Sequence, residues 1–199
     1  MRLGLAGALA LTMAGPLAAE EPISFDLHGV RIGDEPEMVE TALAEAGYAR
    51  SEMQSGPDFE QSVALRRGEL EQAEATASVA QATYARGEEV VVVTYLPWPS
   101  GPGVTRVRYL PDATAPGDCP GLRSAYETRY AEGIAYQSGF IDRPLEKDGF
   151  FENLPLEAVM AEFACGVFER PSIELSQVLA TNMLNEMLTQ AHGSKAHDF

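Results

Sequence analysis

Apolar residues are densest and most regular over residues 89–96, EVVVVTYL, a run that predicts a β-strand. Val90, Val92, Thr94 and Leu96 point to one side of it, and Val91, Val93 and Tyr95 to the other. Because both sides are apolar, the strand is expected inside a sheet and covered on both faces, with Val92 in the core. Residues 78–85 and 104–110 carry strand patterns as well. The turn Arg86-Gly87-Glu88 and the loop PWPSGPG connect the three. Connections this short predict an antiparallel meander. On its third strand Arg106 and Arg108 are expected to share a face with Val104 and Leu110, leaving that face half polar.

Helical spacing appears on both sides of this meander. Ile23, Phe25 and Leu27 alternate and predict a strand over residues 22–32, ended by Gly33-Asp34. Asp34 with Glu37 three residues on is a capping-box arrangement, and Pro36 suits a first helical turn. Met38, Val39, Ala42, Leu43 and Ala46 then share one helix face, stopped by Gly47. A second helix is predicted over residues 59–67, closed by Gly68, with Phe59 and Val63 inward. After residue 120, Leu122, Ala125, Tyr126 and Tyr130 fall at helical spacing. Residues 134–141 suggest a strand. Asn153 is placed to cap a helix carrying Leu156, Val159, Met160 and Phe163. Residues 172–191 favour helix, but their apolar residues surround the axis and leave helix and strand open. The result is an α+β chain whose antiparallel meander is packed on one face by helices 35–46 and 122–132. A capped helix followed by strands occurs near residue 34 and is echoed near residue 120, suggesting two related halves.

The ends change the picture. Arg2, the apolar run Leu3–Leu11 and Leu17-Ala18-Ala19 predict an export signal over residues 1–19. No later stretch is apolar enough for a membrane span. The mature chain is expected to be a soluble periplasmic protein: an α+β part with the meander (20–110), a linker (111–121), a helix-rich second half packed on the first (122–193) and a tail (194–199). Cys119 and Cys165 are the only cysteines and are expected to form a disulfide after export. Each sits at an expected helix boundary, so the bond should staple two packed helices. The net charge of -16, from 30 Asp+Glu against 14 Lys+Arg, argues against nucleic acid or anionic lipid; it is compatible with a basic envelope protein as partner, and equally with a solvated acidic surface that keeps an exported protein soluble.

Strand, glycine, capped helix and long meander resemble the secreted α+β domains of the β-lactamase-inhibitor-protein type. They are also similar to the outer-membrane assembly lipoproteins of the SmpA/OmlA (BamE) family. In those, a Gly precedes a helix whose first turns carry a Val, as in Gly33-Asp34-Glu35-Pro36-Glu37-Met38-Val39. Asp34 stands where that motif commonly has Met, and the lipid-anchored Cys of the assembly factors is missing. The resemblance covers about residues 25–48 and implies a non-catalytic binding module; it transfers no functional residue.

Candidate chemistry is sparse. His28 lies near Asp26, but no nucleophile elbow or oxyanion motif accompanies the pair. His192 and His197 are too isolated for a metal site. No catalytic residue, metal or cofactor is expected. Trp98, between Pro97 and Pro99, is a natural contact anchor, and with Arg106 and Arg108 it is expected to mark an interaction face. The sequence therefore favours a periplasmic binding or protein-interaction module. An envelope hydrolase using His28 with a nearby carboxylate, and an inhibitor of a basic exported enzyme, stay open beside it.

Overall fold

Eight strands form one antiparallel sheet, and the valine run lies within it. The computed structural model describes residues 23–112, 119–148, 151–165 and 170–194. The expected export signal, most of the expected linker (113–118) and the end of the tail (195–199, with His197) lie outside the described residues. In chain order the elements are α1 (Pro36–Glu45), β1 (Ala49–Gly56), α2 (Phe59–Arg67), β2 (Ser78–Arg86), β3 (Glu89–Trp98) and β4 (Gly101–Leu110). They continue with α3 (Cys119–Arg129), β5 (Ile134–Tyr136), β6 (Gly139–Ile141), β7 (Glu146–Asp148), β8 (Phe151–Asn153), β9 (Val159–Ala164), β10 (Ser172–Gln177) and α4 (Ala180–Ser194). The strand order is β1-β2-β3-β4-β10-β9-β6-β5, with β7 and β8 paired apart. Each half opens with a helix, α1 or α3, and supplies four strands to the sheet, β1–β4 from the first and β5, β6, β9 and β10 from the second, joined where β10 pairs with β4.

Two apolar rows cross that junction without a break. One runs Ala82, Val93, Val107, Leu175, Ala161 and Phe140; the next runs Tyr84, Val91, Tyr109, Ile173 and Phe163. Val39 and Leu43 of α1, Tyr126 of α3 and Tyr130 just after it belong to the same buried cluster. The Tyr126 hydroxyl donates to the Ala161 carbonyl at 2.7 Å, which satisfies it within the core. Val91, Val93, Val107 and Leu175 are fully buried, and each such side chain contributes about 1.5–3 kcal/mol. The expected helices over 35–46 and 122–132 therefore do cover one face.

The other face is covered only in part. There α2 and α4 pack together through Val63, Leu184 and Leu188, against Leu96 and Trp98. Asp58 and Gln61 form a capping box at the start of α2, and Gly68 ends it in the left-handed conformation (φ 70°). The rest of this face shows a polar row: Thr83, Val92, Arg108, Glu174 and Glu162.

Several expectations need correction. The described part of the strand expected over residues 22–32 makes no sheet strand. Leu27 and Val30 bridge each other around His28 and Gly29, whose φ of 54° and 84° reverse the chain. Asp34 does not cap α1: its carboxylate accepts from the Arg31 N–H at 2.8 Å, closing the preceding turn, and Glu35 takes the cap position without a side-chain bond. The segment expected as a helix after Asn153 contains β9, where the ladder between β6 and β10 replaces intrahelical bonds. Residues 172–191 divide into β10 and the start of α4. β1 had no apolar signature, since Ala49–Ser55 are all exposed. Val92 is half-buried on the polar face, while Val91, Val93 and Tyr95 carry the core. Val104 leaves the face of Arg106 because the register slips between Thr94 and Tyr95, so Val104 and Val107 are both fully buried.

Cys119 and Cys165 form the expected disulfide, with Cα atoms 6.1 Å apart. It joins the start of α3 to the residue after β9 rather than two helices. It closes a separation of 46 residues, which by chain entropy contributes about 4 kcal/mol. No helix among the described residues is long and apolar enough to cross a membrane.

Candidate functional site: a groove at the β3–β4 hairpin

The sequence places prolines on both arms of the hairpin, and the ladder continues through them. Pro97 faces Pro102 and Trp98 faces Gly101, leaving Pro99 and Ser100 as the turn. Gly101 has φ 126°, a conformation L side chains rarely adopt, so it is required there. Gly103 matters for another reason. A β-carbon built on it would lie 2.9 Å from Cδ1 and 3.0 Å from Nε1 of Trp98. The indole therefore rests against the Gly103 backbone, on the side of the sheet where Leu96 meets α2 and α4.

Beside Trp98 opens a groove of about 570 Å³. Ile32 and Gly33 form one wall, tied to β4 by the Gly33 N–H to the Val104 carbonyl (2.8 Å) and the Val104 N–H to the Asp34 carbonyl (3.0 Å). Met183 and Met187 of α4 line it too, and the Gln177 amide donates to the Met183 sulfur at 3.2 Å. The polar part of its lining includes Arg143 and Glu157. Arg143 donates through Nε and Nη2 to both carboxylate oxygens of Asp142, at 3.0 and 2.9 Å, and through Nη1 to Glu157 at 3.3 Å. Asp142 is buried, its side chain 5 % exposed, and also accepts from the Val159 N–H. These hydrogen bonds to Asp142 push the Arg143 pKa up against the lowering effect of burial, so the guanidinium is a fixed cation.

The sequence-predicted residues part company here. Trp98 lies in the groove. Arg106 lies lower on the same sheet face, paired with Glu174 at 3.0 Å and lining a separate pocket of about 340 Å³ with Leu96 and Met160. Arg108 is exposed and reaches the Ser172 hydroxyl at 3.4 Å. Arg143, Glu157, Met183 and Met187 were not foreseen as site residues. The two methionines, four apart, were a helix-face signal hidden in a segment of undecided structure.

His28 occupies a different corner. Its ring meets those of Tyr48 and Tyr109, with centroids 5.1 and 4.7 Å away, and Nε2 lies 3.4 Å from the Tyr48 hydroxyl. Tyr48 donates to Glu89 Oε2 at 2.9 Å, and Arg86 donates to the same oxygen at 2.6 Å. Asp26 instead takes the Gly29 N–H and the Arg129 guanidinium. Burial lowers the His28 pKa, and the charges of Arg86 and Arg129 lower it further. The same burial, with the bond to Glu89, raises the Tyr48 hydroxyl. Burial also acts to raise Glu89, but the hydrogen bonds from Arg86 and Tyr48 outweigh it and leave the carboxyl below its usual range. The corner holds a neutral imidazole against a neutral phenol. His192 is exposed on α4. Among the described residues no group of three His, Cys, Asp or Glu is placed to hold a metal.

Comparison with protein-family models, with curated proteins and with solved structures finds no match to this chain.

Proposed function

We propose that this chain is a non-catalytic binding module of the cell envelope, exported as a soluble periplasmic protein, and that it engages a partner protein through the Trp98 groove. The observation that carries the reading is the groove itself: an apolar channel beside the lone Trp, on a hairpin whose geometry is fixed by Pro97, Pro102 and the Gly103 contact. A rigid aromatic beside an apolar pocket is how binding energy is concentrated at an interface. The disulfide fits an oxidising compartment, and the resemblance at Gly33–Val39 points to binding domains of secreted α+β type. His28 faces a tyrosine pair rather than a carboxylate, so the hydrolase alternative has less to stand on.

The test is site-directed crosslinking. The mature protein with a photoreactive residue at Ser100 is incubated with envelope extract and illuminated. A discrete adduct that disappears with Trp98→Ala is expected. Labelling that ignores Trp98→Ala, or turnover of hydrolase substrates by the purified protein, would sink the reading.

A further inference from the structure

The charges around the groove do not cancel. Among its lining residues Arg143 and Glu157 are the ionised pair, and behind Arg143 stands buried Asp142. Two carboxylates thus face one guanidinium, a local balance of one net negative charge. Their exposure decides where that excess is felt. Asp142 is sealed at 5 % and Arg143 at 22 %, and they hold each other through two hydrogen bonds. Diverting Arg143 to an outside anion would leave Asp142 a buried charge without its cation, which is strongly unfavourable. Glu157 is different. Its side chain is 74 % exposed, and its link to Arg143 is a single contact of 3.3 Å. It is free to take a second cation at the rim.

The lining beneath that carboxylate suits the rest of a basic side chain. Trp98 offers a π surface that attracts cations. Met183 and Met187 offer flexible, polarisable thioethers that adapt to an aliphatic stem. Met187 is 37 % exposed, and Leu156, next to Glu157, is 54 % exposed, so apolar residues flanking a basic one would also find contact. The whole chain carries -16, which would steer a basic protein towards it.

We infer that the Trp98 groove receives an arginine or lysine side chain of its partner protein, stacked against the indole and paired with Glu157. This rests on the reading of the chain as a binding module and names the chemistry of that partner.

Because Trp98 is the only tryptophan, its emission reports on the groove. The probes are a capped leucyl-arginyl-leucine tripeptide and its citrulline and glutamate counterparts, titrated to millimolar concentration at low salt. The arginine peptide should change the emission saturably. The citrulline peptide, equal in shape but uncharged, should bind roughly five-fold or more weakly, and the glutamate peptide not at all. Glu157→Gln, an exposed change that leaves the fold intact by circular dichroism, should weaken the arginine peptide about three-fold. No saturable response to arginine, equal binding of citrulline, or an indifferent Glu157→Gln would each overturn the inference. If the arginine peptide fails while the Trp98-dependent crosslink persists, the binding module stands and only its cation specificity falls. Loss of both removes both.

Discussion

Gly103→Ala tests whether the hairpin is built around its tryptophan. The backbone of Gly103 is not in the left-handed region, so alanine is sterically acceptable to the chain itself. The obstacle is the indole, 2.9 Å and 3.0 Å from the added carbon. Carbon contacts are optimal near 3.5–4.0 Å, so the ring or the strand must move by roughly half an ångström to one ångström. Overpacking of this kind typically costs about 1–3 kcal/mol, while replacing glycine returns about 0.4–1 kcal/mol through the unfolded chain. The net expectation is a loss of about 1–2 kcal/mol. Urea denaturation followed by circular dichroism reads it as a lower midpoint with unchanged slope, and the Trp98 emission should shift in the folded protein. The decisive comparison is the same substitution in a Trp98→Ala background. With the indole gone, alanine at position 103 should cost nothing or stabilise slightly. Equal destabilisation in both backgrounds would refute the reasoning, since the penalty would then arise from something other than the ring, such as the Gly33 carbonyl 3.6 Å away.

Two further outcomes follow from the packing. Val91→Asp should abolish cooperative folding or cost several kcal/mol, because Val91 is fully buried; Val92→Asp, opposite Arg108 in the ladder, should melt far closer to wild type, and the reverse order would show that the faces are misassigned. Stability should also fall on acidification through His28. Its folded pKa lies below the ordinary 6.5, so the unfolded chain binds more protons just below that value. Its contribution is full above 6.5 and lost as pH drops towards the folded pKa. His28→Asn keeps a residue that tolerates the left-handed turn but cannot titrate, and its stability should decline less over that window; identical pH profiles for the two proteins would refute the assignment.

The meander was legible because β2, β3 and β4 each carry their own pattern and are joined by short connections. Elements that owe their state to neighbours were not. β1 is an exposed, mostly polar edge strand whose ladder runs to β2 only, with Arg50 paired to Glu40 of α1. β9 presents Val159, Met160 and Phe163 at helical spacing, yet Ala161 and Phe163 also alternate with Met160 and Glu162, and pairing on both sides decides between these readings. Val92 shows the same limit in one residue. A strand of uniform valines announces that it is a strand but not which face will be sealed. The slip in register beside Thr105, invisible in the sequence, places Val104 with Val107 in the core.

The candidate site follows a related logic, and it separates what local sequence can say from what only the fold assembles. Pro97-Trp98-Pro99 is local: the prolines stiffen the turn, and the lone Trp draws notice by its rarity. The residues that give Trp98 a chemical context come from four other stretches: Ile32 and Gly33, Arg143, Glu157, and Met183 with Met187. Arg106 and Arg108, chosen for nearness in sequence on the next strand, lie down the sheet: Arg108 in the polar row, and Arg106 one row over, paired with Glu174 of that row. The cation that does line the groove, Arg143, is committed to buried Asp142 beside it in the chain. A guanidinium so neutralised cannot define the face by its charge. The exposed carboxylate of Glu157 does that instead, which reverses the polarity expected of the site while keeping the basic partner that the overall charge suggests.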